Sequence, residues 1–147
     1  MPGTHVVHEA KIVRAVAPER QVIHVRRTAD TAFQLLRVGY ALLPIIAGLD
    51  KFFHWLTSWE MYLSSSVEKM LPVSPITFMR VTGVIEVAAG VLVAIVPRVG
   101  AWVVAGWLAA ITVNLLLPPG FYDIALRDFA LMLGAISLGL LARKNRS

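Results

Sequence analysis

Residues 76–96 read ITFMRVTGVIEVAAGVLVAIV. As a helix rising 1.5 Å per residue, this run covers the ~30 Å hydrocarbon thickness of a bilayer. Arg80 and Glu86 lie within it. A charge in that setting costs roughly 2.5 to 3.5 kcal/mol even on the forgiving insertion scale, so unpaired charges without a purpose are not expected. Gly83, Glu86 and Gly90 fall at i, i+3 and i+7, which places the acid on a stripe of small residues where a second helix can come close.

Three further runs of the same kind flank it, at Ala32–Phe53, Val99–Leu117 and Tyr122–Ala142. The Pro97-Arg98 break is short enough to make the second and third spans antiparallel neighbours. Pro118-Pro119-Gly120 ends the third. A hydrophobic content of 57% over 147 residues exceeds what a soluble domain of this size can bury. The expected fold is an all-α membrane protein, a bundle of four transmembrane helices over residues 32–142. A basic tail, 143–147, follows it, and an N-terminal extension, 1–31, precedes it. The net charge of +5 flanks the spans rather than forming a basic face, so membrane topology explains it and nucleic acid is not an expected partner. With no cysteine, the chain has no thiol chemistry and no iron–sulfur ligation of its own, and any redox role needs a partner or a borrowed cofactor.

Lys and Arg outside the spans give the orientation. Five lie in the N-terminal segment, one at Arg98 and three in the C-terminal tail, against Lys69 alone on the other side, which predicts cytoplasmic termini in a prokaryotic inner membrane. No cleavable signal is legible, so the first span is expected to act as its own insertion signal. The same orientation gathers Asp50, Lys51, Arg80, Arg127 and Asp128 toward the outer leaflet, with Glu86 deeper and Asn114 at comparable depth, in one polar layer. Arg37 lies near the inner face, within reach of water. Arg127, Ala130, Gly134 and Ser137 repeat the small-residue arrangement in span four. The prediction is that Glu86 pairs with Arg80 or Arg127, sharing bidentate hydrogen bonds, with Lys51 an anchor at the span's edge. Two readings of the layer stand side by side: helix register alone, or a site for a ligand or for proton movement.

Between spans one and two, Trp55, Trp59 and Tyr62 recur at i, i+4 and i+7. That stripe predicts a short amphipathic helix on the outer surface, roofing the polar layer, with His54, Trp55 and Trp59 at an interfacial entrance. Ser64-Ser65-Ser66 interrupts it, and Ser74-Pro75 marks entry into span two. In the N-terminal extension, Val6, Val7, Ile12, Val13, Val16, Val22, Ile23 and Val25 around Ala17-Pro18-Glu19 read as a β-hairpin needing a partner surface. His5, His8 and His24 match no metal-ligand spacing, and no metal is expected. No phosphate-binding loop or nucleophile elbow is present in the sequence.

The stretches LLRVGYALLPIIAGLDKF (35–52), RVTGVIEVAAGVLV (80–93) and LRDFALMLGAISL (126–138) together resemble the DoxX-like membrane proteins. In that family an arginine opens the first span, an Asp-Lys-Phe type sequence closes it, the second span carries Arg, Gly and Glu, and the fourth starts with Arg-Asp. The matching positions here are Arg37, Asp50, Lys51, Phe52, Arg80, Gly83, Glu86, Arg127 and Asp128. The resemblance covers about residues 34–142 and leaves the N-terminal extension outside. It implies a four-helix unit associated with respiratory or detoxifying redox complexes, such as the small subunit of thiosulfate:quinone oxidoreductase. The expectation is therefore an accessory subunit with no turnover alone. It is expected to meet other membrane-complex subunits through its extension and helix faces, with a quinone or lipid bound at the polar layer. The alternatives are a quinone-linked oxidoreductase subunit, whose carboxylates handle protons, and a proton-coupled carrier, for which the sequence lacks the repeat signature.

Overall fold

The computed structural model describes the backbone of residues 3–144 and the side chains of residues 22–143. Its elements are α1 (Gly3–Phe53), a 3-10 turn (Trp59–Tyr62), α2 (Ser65–Glu68), α3 (Pro75–Ile95), α4 (Pro97–Leu116) and α5 (Tyr122–Lys144). Four helices are long and apolar enough to cross a membrane: Val22–Phe53, Pro75–Ile95, Pro97–Leu116 and Tyr122–Arg143. The four expected spans are therefore present, and α3 to α5 match to within two residues at each end.

The expected N-terminal β-hairpin is not formed, and no strand occurs among the described residues. Backbone from Gly3 onward is helical and runs without a break into the first span. A lone hairpin leaves one row of N–H and C=O groups unpaired along each edge, whereas a helix satisfies them within the segment. The same stretch also fits a helical repeat, since Val6, Ala10, Val13 and Ala17 are spaced i, i+4, i+7, i+11. The side chains of His5 and His8 lie outside the described residues. Residues Met1–Gln34 and Leu35–Ser147 form two separate compact units. In the first, Thr28 and Thr31 turn their hydroxyls back onto the carbonyls of His24 and Arg27, one helical turn earlier.

In the second unit, small residues set the helix spacing. Cβ atoms added at Gly48 and Gly83 would each strike the other's backbone carbonyl, and one at Gly90 would strike the carbonyl of Ala41. The Arg37 guanidinium donates to the Ala94 carbonyl in the last turn of α3, where a cation suits the helix dipole. Moving from Gly83 to Gly90 to Ala94 on α3 thus moves from Gly48 to Ala41 to Arg37 on α1, an antiparallel register locked at three levels. The Pro97 turn brings Gly100 against the backbone of Val93, Gly139 lies under the Trp102 indole, and Gly134 faces the Tyr40 hydroxyl. The helices therefore close a ring in the order α1, α3, α4, α5. Val93, Ala101, Ala135 and Leu138 fill its centre at the end away from residues 54–74, with no exposed surface. Large apolar side chains such as Leu35, Ile95, Val113 and Leu126 face outward, the arrangement of a bundle whose solvent is lipid.

Residues 54–74 do not form the expected surface helix. They fold into a strap across one end of the ring, made of the 3-10 turn Trp59–Tyr62 and the single turn of α2, four residues each. The reason lies in Asp50. Its carboxylate accepts from the backbone N–H groups of Trp55 and Leu56, capturing donors that a regular helix would have used. His54 ends α1 in the left-handed region at φ 55°, an uncommon conformation for a residue with a Cβ. Ser64 and Ser74 accept from the N–H groups of Val67 and Thr77, capping α2 and α3, and Pro75 occupies the first turn of α3.

Candidate functional site

The Lys51 ammonium donates to Glu86 Oε2 at 2.6 Å, joining α1 to α3, and the two residues are only 3% and 6% exposed. Their meeting follows from direction as much as from register. The glycine contacts put Lys51 level with Arg80 and Glu86 level with Ile45, about 9 Å apart along the axis. Side chains lean toward their own helix N-terminus, and in an antiparallel pair those leanings converge. On α3 the buried face is Met79, Thr82, Gly83, Glu86, Ala89, Gly90 and Val93, so Glu86 points inward.

This corrects the predicted pairing of Glu86 with Arg80 or Arg127. Arg80 sits one residue past the buried Met79, which turns it about 100° off the buried face, and it is exposed. Arg127 is exposed as well, and its guanidinium reaches Asp123 at 3.9 Å, one turn earlier on its own helix. Lys51 is the buried partner and not an anchor at the edge.

Aromatic rings complete the surroundings of the pair. The Lys51 ammonium lies 3.8 Å from the centroid of the Trp59 ring. That contact is worth roughly 2 kcal/mol when desolvated. Trp107 of α4 reaches Glu86 Oε1 with its indole N–H at 3.4 Å. The Trp59 indole N–H donates in turn to Asp50 Oδ2 at 2.8 Å. A continuous polar chain therefore runs Asp50, Trp59, Lys51, Glu86, Trp107 across three helices and the strap. Among the described residues, no buried side-chain nitrogen or oxygen lacks a hydrogen-bond partner.

Asn114, expected at this depth, fastens the strap to α4. Its amide donates to the Tyr62 carbonyl at 2.7 Å, and its oxygen accepts from the Ser64 N–H at 3.1 Å. The Tyr62 ring meets Phe121 edge-on at 5.3 Å, just before α5 begins. The Trp55 ring lies outside this network, stacked on Phe53, and the residue is 81% exposed. His54 turns to Glu60 at 3.0 Å.

Below the strap the ring forms a half-open cavity of about 670 Å³, lined by all four spanning helices and by the strap. On α4 the lining runs from Val104 to Leu115, about 16 Å along the axis. Its polar groups gather toward the strap: Lys51, Glu86, Trp107, Asn114 and Asp128. Most of the remainder is apolar, including Leu43, Ala47, Leu108 and Ile111, with Tyr40 and Thr82 among the other lining residues. A volume of this size is in the range of small-molecule sites. Of the predicted cluster, then, Lys51, Glu86, Asn114 and Asp128 converge on one space with Asp50 directly behind. Arg127 contributes to the wall with its guanidinium turned away, and Arg80 does not contribute.

The sequence reading missed Trp107, Trp59 as a partner of Lys51, and Tyr40, whose hydroxyl donates to the Leu131 carbonyl at 2.5 Å. The usable signal was chemical, since an indole or phenol in the middle of an apolar span must find a hydrogen-bond partner inside the bundle.

Two consequences of the strap are measurable. Asp50→Asn keeps one acceptor oxygen but turns an N–H₂ toward donors. The expected cost is about 1 to 3 kcal/mol, read as a lower melting temperature in detergent; an unchanged melt contradicts the role given to Asp50. The second concerns pH. The Glu60 carboxyl is held below the usual carboxylate range by its own backbone N–H, then by the His54 hydrogen bond. Because the folded value is the lower one, this tether is in force above the ordinary glutamate pKa of about 4.3 and is lost as pH falls through the depressed value. Trp59 fluorescence should report a transition below the free glutamate value that His54→Ala moves upward. A midpoint at or above the free glutamate value contradicts it.

Comparison with family models, with curated proteins and with solved structures gave no match.

Proposed function

We propose that this chain is a membrane-embedded accessory subunit of a larger redox complex, with both termini in the cytoplasm, and that its cavity holds the head and adjoining tail of a quinone-class molecule. The observation that carries this reading is the lengthwise division of the cavity. One end, beneath the strap, has a buried ion pair, a free carboxylate, an amide and two indoles, while the other is lined mainly by aliphatic side chains and by Tyr40, whose hydroxyl is already bonded to the Leu131 carbonyl. A molecule with a polar ring and an apolar tail matches that division, whereas a wholly apolar acyl chain would leave the polar end unmatched.

The resemblance to DoxX-like proteins supports the redox setting. The lack of cysteine supports the accessory role, since electrons passing near this chain would have to travel on the bound molecule or on a neighbouring subunit. The Lys51–Glu86 pair then serves two ends. It joins α1 to α3, and its near-neutral sum presents polarity to the ligand without an uncompensated charge.

The test is extraction in mild detergent followed by mass spectrometry of what co-purifies with the chain. Quinone or quinol should accompany the wild type and be lost from Leu108→Trp, which fills the apolar part of the cavity, while the melting temperature of that variant stays close to wild type. Recovery of phospholipid alone, or equal quinone in both proteins, overturns the reading.

A further inference from the structure

The donors and acceptors around the cavity are unevenly committed. The Lys51 ammonium is engaged by Glu86 and by the Trp59 ring. The Trp59 N–H goes to Asp50, the Trp107 N–H to Glu86, the Asn114 amide to Tyr62, and the Tyr40 hydroxyl to Leu131. Arg127, the remaining cation of the wall, is turned to Asp123 with its side chain 76% exposed. The acceptor side is different. Asp128 lines the cavity, and no hydrogen bond or ion pair engages its carboxylate among the described residues. Lys51, Glu86 and Asp128 together carry one negative charge more than positive. The Thr82 hydroxyl, also in the wall, accepts as readily as it donates.

From this imbalance we infer that the cavity recognises its ligand as a hydrogen-bond donor, with Asp128 as the accepting group, and so selects the hydroxyl-bearing, reduced form of the molecule over the carbonyl-bearing, oxidised form. This rests on the quinone-class reading and adds to it a direction of preference. A quinone offers only acceptors, so its carbonyl oxygens give the Asp128 carboxylate nothing to accept. A quinol offers two O–H groups to a carboxylate that has none. Hydrogen bonds to a charged acceptor are among the stronger kind.

The experiment is isothermal titration calorimetry on the full chain in detergent, without oxygen, using a decyl-substituted benzoquinol and the matching benzoquinone as probes. The quinol is expected to bind roughly tenfold tighter or more. Asp128→Asn, which replaces an acceptor oxygen with an N–H₂ donor, is expected to weaken the quinol by a similar factor and to leave the quinone unchanged or tightened. Arg80→Gln, outside the cavity, should keep the wild-type preference. Quinone binding as tight as quinol to the wild type overturns the inference while leaving the quinone-class cavity standing. A preference that survives Asp128→Asn overturns the role of Asp128. Binding of neither probe overturns the underlying reading and this inference with it. The comparison of two ligands on the wild-type chain stands even if a variant fails to fold.

Discussion

Lys51→Met should destabilise the chain by about 3 to 5 kcal/mol, and adding Glu86→Leu to it should recover most of that loss. The asymmetry follows from burial. Alone, the first substitution leaves the buried Glu86 carboxylate with only a long bond from Trp107. The pair itself need not be strongly stabilising, because removing two charges from water offsets much of their mutual attraction, so two apolar residues of similar volume can stand in for both. The readout is a double-mutant cycle on unfolding midpoints in mixed detergent. Single substitutions costing under about 1 kcal/mol, the range of exposed ion pairs, would place Lys51 or Glu86 at a solvated surface.

Gly83→Val is the second large effect. A Cβ at Gly83 would stand 2.6 Å from the Gly48 carbonyl oxygen and 3.1 Å from the Phe52 ring. The first obstacle is backbone and cannot swing aside. Overfilled cores lose about 1 to 3 kcal/mol, occasionally more, and the rigid carbonyl puts this position at the upper end. The consequence passes directly to the site. If α1 and α3 separate or slide, Lys51 and Glu86 no longer converge, and the destabilisation should no longer add to that of Lys51→Met. Full additivity of Gly83→Val with Lys51→Met would separate the glycine contact from the ion pair.

The spans were legible because hydropathy over a bilayer's thickness is a strong signal, and proline and glycine punctuate it at Pro97 and Gly120. The small-residue stripe at Gly83 and Gly90 was legible for the same kind of reason, since few side chains permit close approach. Partner choice was not. Depth along the axis ranked Arg80 and Arg127 as well as Lys51, and only the angular position on each helix separates them: Arg80 beside the buried face, Arg127 one step from the inward Asp128. The strap failed for a different reason. An aromatic spacing of i, i+4, i+7 looks helical whatever the backbone does, and the carboxylate of Asp50, which takes the N–H groups of Trp55 and Leu56, acts through tertiary geometry that periodicity does not encode. The N-terminal valines satisfied a strand pattern and a helical one together, and the backbone's own hydrogen bonds decided in favour of helix.

Nitrogen-15 NMR of the lysine side chains examines the Lys51–Glu86 pair most directly. The chain has four lysines, at 11, 51, 69 and 144. An ammonium enclosed between Glu86 and the Trp59 ring should exchange its protons slowly. One cross-peak should persist at neutral pH, vanish in Lys51→Met and shift in Glu86→Gln. If every lysine ammonium exchanges as fast as a solvated one, Lys51 is open to water, and the bond that organises the strap, the ring and the cavity does not exist.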